Sequence, residues 1–453
     1  MSTTTALTYN NPNQERLGLP VLPGALPVFG HQLKLLFAPM DFVQQARRLC
    51  QDSNTDFVWV SLGLGNWVLD CFNPNAYEVL RDKSCSVRHY ANFAPTLLGN
   101  SLLTQDGEPH RSARNAMNTP FTPKGLSGLG TSALMKEVVE QHVAAMLKKS
   151  TCNGLIETRN LALDIIFRIL GIDHSELDQW REHYEEVMLS LLPFPWKIPG
   201  FPAWRAARAR AWVETRILSR VNAIRKEPEA TGLLAEMVRG WDAREERGED
   251  RELVDNVLLL ALAGHETTAS TMTWMACALA RDRALWDRVV AEAQAVGEVP
   301  SAPKDLAAFP LIEGLFRECL RLYPPVMAIT RLLTEPVEIC GMQIPKDTQV
   351  SFPVVAWYRD ERFYPDPERF TPERWLGRDR RPTPMETMAF SFGPHFCLGY
   401  HVAWTEAVQF GVALALQASA AGLRPELVSG FPTAARKGLC TPKKSMTGLR
   451  WVS

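Results

Sequence analysis

The spacing of apolar and polar residues changes several times along this chain, and each change predicts a different kind of element. The segment Leu19 to Pro27 reads Leu-Pro-Val-Leu-Pro-Gly-Ala-Leu-Pro. Its prolines fix φ and lack an N–H, so it predicts an extended leader across the surface. Between Asp56 and Cys71, the β-prone runs Phe57-Val58-Trp59-Val60 and Trp67-Val68-Leu69 flank Gly63 and Gly65 and predict a hairpin. Most of the next half of the chain carries apolar residues at helical spacing, with Pro and Gly marking the loops. The longest such run, Asp255 to Asp282, has Glu266 as its only formal charge between Asp255 and the closing pair Arg281-Asp282. Strand signals return from Glu338 to Phe352, with Gly341 and Pro345 bounding a turn, and more weakly after Gly422. The charged stretch Asp242 to Arg251 predicts a solvated loop before a helix. From Trp357 to Phe390, prolines and aromatics replace periodicity, which on pattern alone argues against a compact segment. The pattern implies a mainly α protein with a small β-sheet region drawn from distant parts of the chain (α+β). It shows no repeat and no interdomain linker.

A length of 453 residues leaves the domain count open, and 46% hydrophobic content is ordinary for a protein with a substantial core. Lys and Arg number 49 against 50 Asp and Glu, which excludes a strong global attraction to nucleic acid or an anionic membrane. A small molecule is the expected ligand. The nine cysteines include no CxxC pair and no CxxCH haem-attachment motif, implying a reducing compartment. Met1 to Arg16 is polar and lacks the basic start and apolar run of a signal peptide or anchor. Residues 1–18 are therefore expected to be a flexible tail, and the protein soluble and cytoplasmic. The run around Glu266 is apolar enough to need a membrane test. Gly264-His265-Glu266-Thr267-Thr268, Ser270 and Thr271 at its middle would be costly in lipid, so a span is rejected.

Candidate chemistry centres on Phe390-Ser391-Phe392-Gly393-Pro394-His395-Phe396-Cys397-Leu398-Gly399. Gly393 and Gly399 let the backbone turn tightly and approach a flat cofactor. A helix beginning near Gly399 would put Cys397 before a helix N-terminus, where positive partial charge favours the metal-binding thiolate. Phe390 supplies an apolar cover for the sulfur. An ordinary buried cysteine is the competing reading. The pattern Phe-x-x-Gly-x-x-x-Cys-x-Gly, with His two residues before the Cys, resembles the haem-binding loop of the cytochrome P-450 superfamily. That resemblance implies the P-450 fold, a helical bulk around a buried haem, with residues 19–453 as one haem-thiolate catalytic domain. The cofactor would be non-covalent haem b with Cys397 as its axial ligand.

Ala263-Gly264-His265-Glu266-Thr267-Thr268 resembles the family's central-helix motif. Gly264 is expected to leave room over the haem, and the Thr267 hydroxyl to compete for backbone carbonyls and open a local distortion. Activating O2 needs protons, so an acid that exchanges with solvent beside a relaying hydroxyl suits the chemistry. By resemblance Glu266 and Thr267 fill these catalytic roles. His265-Glu266-Thr267-Thr268 also opens like a zinc HExxH, but position 269 is Ala and the second ligand is missing.

Glu318 and Arg321 stand at i and i+3 and can pair on one helix face. Alone that is a common and weak surface motif. With Leu322-Tyr323-Pro324-Pro325-Val326 and Phe370-Thr371-Pro372-Glu373-Arg374-Trp375 following, it resembles the family's Glu-Arg-Arg triad, with Arg374 third and a structural role. His110 and Arg114, four apart, resemble the family's third-helix pair. With Arg331 and His395 they are the expected partners of the haem propionates.

By family analogy the substrate pocket is lined by Phe93, Leu102, Leu103, Ala263, Val326, Ala328 and Ile329, which are apolar and suit a lipophilic ligand. Arg88 and His89 are possible carboxylate anchors. Phe194 to Trp204, followed by an Arg-rich stretch, resembles the family's lid. The resemblance thus implies a monooxygenase using O2 and two external electrons to hydroxylate or epoxidise a terpenoid, steroid or fatty acyl substrate. No nucleotide, flavin or iron–sulfur segment follows the haem region, so a ferredoxin or flavodoxin with its reductase is the expected electron donor. Two other readings stay open at this point: a haem-thiolate isomerase or peroxygenase needing no redox partner, and a non-catalytic haem-binding sensor.

Overall fold

The structure is a computed structural model that describes residues 17–93, 95–172, 174–191, 198–245, 248–377, 382–437 and 439–453. Its longer helices are α1 (Pro39–Asp52), α2 (Gly107–Asn118), α3 (Thr131–Leu147), α4 (Gly154–Ile169), α5 (Leu177–Met188) and α6 (Pro202–Lys226). They continue with α7 (Leu233–Asp242), α8 (Asp250–Arg281), α9 (Arg283–Val296), α10 (Pro310–Leu322) and α11 (Tyr400–Ala420). The axis of the molecule is α8. Asp250 and Glu252 occupy its first turn and Arg281 its last, complementing the helix dipole at both ends. Asp282 then stops it and caps α9 by accepting the Leu285 N–H at 3.0 Å. Helix α11 is apolar nearly all round and lies inside the helical core.

A second core lies under a five-stranded sheet ordered β1–β2–β8–β5–β3. Its strands are β1 (Phe57–Gly63), β2 (Asn66–Cys71), β3 (Cys85–Ser86), β5 (Ile329–Leu333) and β8 (Gln349–Phe352). The expected hairpin is β1 against β2, antiparallel, with Trp59 opposite Leu69. The leader lies along it: Leu22 N–H donates to Trp59 O and Trp59 N–H to Pro20 O, both at 2.9 Å. Strand β5, which periodicity had not marked, pairs with β8 through Arg331 opposite Val350 and with β3 through Leu332 opposite Ser86. That pairing brings Arg331 beside the segment after β3. Strands β4 (Thr151–Asn153), β9 (Arg424–Leu427) and β12 (Gly448–Val452) form a small sheet. Hairpins β6–β7 (Val337–Ile339, Met342–Ile344) and β10–β11 (Ala434–Lys437, Leu439–Pro442) complete the β region.

Two expectations about connections need correction. Gly341 and Pro345 do not bound one turn, because β7 lies between them and the turn falls at Cys340-Gly341, both with positive φ. The stretch Asp242 to Arg251 is not simply a solvated loop: its ends are helical, and Arg225 binds both Asp242 and Asp250 at 2.9 and 2.7 Å. Among the described residues, no helix is long and apolar enough to cross a membrane.

Candidate active site

The cysteine loop is shaped by its own main chain. Gly393 sits at φ +75, Phe396 N–H returns to Gly393 O at 3.1 Å, and Cys397 N–H donates to Phe390 O at 2.8 Å. Helix α11 starts at Tyr400, so Cys397 precedes a helix N-terminus as its sequence position suggested. A Cβ at Gly393 would meet Leu80 O at 3.0 Å and Arg81 Cγ at 3.1 Å, so a neighbouring chain segment also presses on this glycine. The Phe390 ring packs edge-on against Tyr400, centroids 4.8 Å apart. Burial raises the Cys397 thiol above its ordinary range, while the Gly399 N–H and the positive charge of Arg114 pull it back toward the thiolate.

Around this loop four basic side chains converge from two elements, α2 and β5, and one turn. His110 on α2 lies with its ring centroid 4.1 Å from that of His395. Arg114 follows one turn along α2. Arg331 on β5 is 2% exposed; its Nη1 donates to Thr330 O at 2.8 Å, while Nε and Nη2 are buried without a partner. Asp106, just before α2, is the carboxylate that meets this group: Oδ1 lies 3.3 Å from His395 Nε2 and Oδ2 accepts from Ser86 Oγ at 2.6 Å. Burial works to raise the Asp106 carboxyl, but hydrogen bonds from His395, Ser86 and the Val87 N–H hold it below its usual range. His110 is pushed down to about 4 by burial and then by His395 and Arg114. The sequence reading missed Asp106, although an acid directly before Gly107-Glu108-Pro109 is where a helix start invites one. Of the two suggested anchors, Arg88 is exposed, whereas His89 bonds Thr330 Oγ1 at 2.8 Å and is pushed down to about 4 by burial and Arg331.

On α8 the acid and the threonine face different partners. Glu266 Oε2 accepts from Arg159 Nη2 at 2.8 Å and Nε at 3.2 Å, across the contact with α4. Thr267 donates its hydroxyl to Ala263 O, yet α8 runs unbroken from Asp250 to Arg281, so the expected opening of the helix is not seen. Gly264 also departs from expectation: an added Cβ would stand 2.5 Å from Ile166 Cδ1, so its role is close packing of α8 on α4. His265 is buried against Tyr184, with both ring nitrogens unpartnered and Nδ1 3.8 Å from Glu266 Oε1. Neither Arg159 nor the surroundings of His265 left a local trace in sequence, since the partners come from α4 and α5.

Glu318, Arg321 and Arg374 come together in one knot, fully buried at Glu318 and Arg321 and partly exposed at Arg374. Arg321 Nη2 and Nε bind Glu318 at 2.8 and 3.0 Å, and Arg374 Nε reaches Oε1 at 3.1 Å. Trp375 Nε1 at 2.9 Å and Thr371 N–H at 2.8 Å complete the carboxylate, while Arg321 Nη1 ties down the carbonyls of Tyr358 and Pro367. This knot pins the segment 358–375, whose order periodicity could not foresee.

Of the proposed pocket residues, Ala263 is exposed in the middle of α8, Leu102 and Ile329 are buried, Leu103 and Ala328 half-buried, and Val326 is 38% exposed. The side chain of Phe93 lies outside the described residues, as do 192–197 of the lid; Ile198 and Phe201 beyond them are exposed.

An unpaired buried guanidinium among three further basic side chains calls for a ligand with more than one negative charge, and the two propionates of haem meet that demand. With a cysteine loop opening a buried helix beside those cations, fold and site define the class of haem-thiolate enzymes. A family model described as Cytochrome P450 matches residues 20–417, and the chain belongs to the cytochrome P450 family. It is 37% identical over 432 residues to Cytochrome P450 BJ-4 of Bradyrhizobium diazoefficiens, covering 94% of this chain and 96% of that protein. It is 28% identical over 400 residues to cyclooctat-9-en-7-ol 5-monooxygenase of Streptomyces melanosporofaciens, covering 85% of each. The structure of retinoic acid-bound cyanobacterial CYP120A1 superposes with a TM-score of 0.81 at 24% identity, over 96% of this chain and 99% of that one. The chain is thus a P450-type monooxygenase, an enzyme whose haem takes a cysteine thiolate.

Proposed function

We propose that this chain oxidises a lipophilic small molecule of terpenoid, steroid or fatty acyl type, by hydroxylation or epoxidation, with O2 and two electrons from a ferredoxin or flavodoxin and its reductase. Residues 19–453 act as one catalytic unit in the cytoplasm, holding non-covalent haem b through Cys397. Arg331 carries the reading: two buried donors without a partner, beside the cysteine loop, need the anion that a propionate supplies. His110, Arg114 and His395 share that duty, and Phe390, Gly393 and Gly399 shape the loop. When bound, the haem supplies reductive activation of O2 and transfer of one oxygen atom. Glu266, held by the half-exposed Arg159, is the acidic side chain placed to take protons up from solvent, and the Thr267 hydroxyl can pass one by exchanging its bond to Ala263 O. Leu102, Leu103, Ala263, Val326, Ala328 and Ile329, with Phe93, exclude water and orient the substrate. The terpenoid class draws support from the relative named for monooxygenation of cyclooctat-9-en-7-ol.

The test is the spectrum of the reduced, carbon-monoxide-bound protein, followed by turnover of terpenoids with a reductase–ferredoxin pair. A thiolate-type Soret band and a product heavier by one oxygen are expected. A histidine-type band, or product formed without electrons, overturns the proposal.

A further inference from the structure

Side chains in the first turns of α8 hold residues 100–105, the segment that follows the short helix Pro95–Leu98. Asp255 Oδ2 accepts the Asn100 N–H at 2.7 Å, Asn256 Oδ1 the Leu102 N–H at 2.9 Å, and Glu252 Oε1 a Gln105 amide N–H at 2.8 Å. From the other side, α6 sends Arg210 into that short helix. Its Nη1 donates to Thr96 O at 2.6 Å and Leu97 O at 3.3 Å, and its Nη2 donates to Asp255 Oδ1. The backbone comes this close because residue 99 is glycine, at φ +48: an added Cβ would lie 2.1 Å from Asp255 Oδ2. Side chains of Arg210 and Asp255 are 8% and 4% exposed, so the pair is sealed from water.

We propose that Arg210 and Asp255 are positioning residues that set ligand access, clamping residues 96–100 between α6 and α8 and so fixing Leu102 and Leu103 over the pocket. The assignment of these leucines to the pocket rests on the monooxygenase reading. Separating α6 from α8 must break a buried ion pair and unseat the segment in one event, because a half-broken pair leaves an unpaired buried charge. A second acceptor stands ready for the guanidinium: Glu214, one turn along α6 and 25% exposed, has Oε2 3.9 Å from Arg210 Nε. In the closed arrangement Arg210 is held by Asp255; in the open one Glu214 receives the guanidinium, and Asp255 is satisfied only by the water that enters as the segment leaves. A bulky lipophilic ligand requires the open one, whereas a ligand of a few atoms does not.

The experiment uses the haem-loaded full chain and measures association and dissociation of a lipophilic N-aryl imidazole by its absorbance change, with unsubstituted imidazole as the small control. Asp255→Asn keeps the shape and the acceptor for Asn100 but removes the charge. It is expected to speed both steps for the large ligand by about tenfold or more, and to change imidazole by less than about twofold. Amide hydrogen exchange at 99–102 should accelerate in parallel. Arg210→Lys, with its charge retained, should fall between wild type and Asp255→Asn. Adding Arg210→Met to Asp255→Asn should add little, because both remove the same pair. Large-ligand rates unchanged within twofold, or imidazole accelerated equally, overturn the inference. The carbon-monoxide band, read on the same samples, reports separately on the functional reading. If Asp255→Asn fails to keep its haem, Arg210→Lys decides by the same rates.

Discussion

Arg159 and Glu266 meet across the α4–α8 interface with both guanidinium donors on one oxygen, Oε2. The other oxygen, Oε1, is left toward the ring of His265. The carboxylate is thus held at the edge of α8 by a residue 107 positions earlier in the chain, close enough to solvent to exchange protons and restrained from free rotation.

Glu266→Gln removes the exchangeable acid while keeping the size of the side chain. Product formation should fall by about a hundredfold, the usual worth of a positioned general acid, with a larger share of the reduced O2 appearing as hydrogen peroxide. Arg159→Met leaves the acid in place without its restraint, and its effect should be smaller and of the same kind. Peroxide and product assayed per electron pair consumed check both; unchanged coupling in Glu266→Gln would remove the acid from the mechanism.

His265 predicts an acid-side loss of stability. Burial pushes its imidazole down to about 4, with Arg159 and Arg181 adding to the shift and Glu266 opposing it. The folded state therefore holds the ring neutral. Its contribution is fully present above the ordinary value of 6.5 and is lost as pH falls toward 4, by about 3 kcal/mol at most. His265→Phe has no such proton to take up. Urea unfolding at about pH 7.5 and about pH 4.5 should show wild type losing about 2–3 kcal/mol more than the variant; parallel losses would refute it.

Motifs that act on their immediate neighbours were readable in the sequence, and contacts made across the fold were not. The Cys397 loop and the β1–β2 hairpin fall into the first group because turns and strand periods are local. So does the Glu318–Arg321 pair, one helical turn apart. Gly264 and Gly393 were recognisable as positions that need glycine, but what presses on them is Ile166 in one case and Leu80 and Arg81 in the other. Those partners come from elements whose packing no single segment encodes. Asp106 joining His395 and Arg210 joining Asp255 are of the same kind.

The buried knot around Glu318 should dominate stability among the charged groups. Glu318→Ala strands Arg321 with carbonyl partners only, and breaking a buried pair in this way costs about 3–5 kcal/mol. Arg374→Ala removes one of several donors to a carboxylate still bound by Arg321, Trp375 and Thr371, so about 1–2 kcal/mol is expected. Urea midpoints of the two variants give the order, and a reversed order would mean that Arg374 is the main anchor of the segment 358–375.

Arg331 should behave oppositely with and without haem. Its Nε and Nη2 are buried without a protein partner, so removing haem would leave them without the anion they face, a desolvation cost that Arg331→Met relieves. Replacing an uncompensated buried charge by an apolar chain of similar length should stabilise the haem-free protein by about 1–4 kcal/mol. In the loaded protein the same change deletes charge-assisted hydrogen bonds worth about 1.5–3 kcal/mol, so haem loss should speed up by about 10- to 100-fold. Urea unfolding of the haem-free protein and transfer of haem to apomyoglobin measure the two effects separately. Destabilisation in both states would mean that the side chain serves the sheet, through Thr330 O, rather than the cofactor.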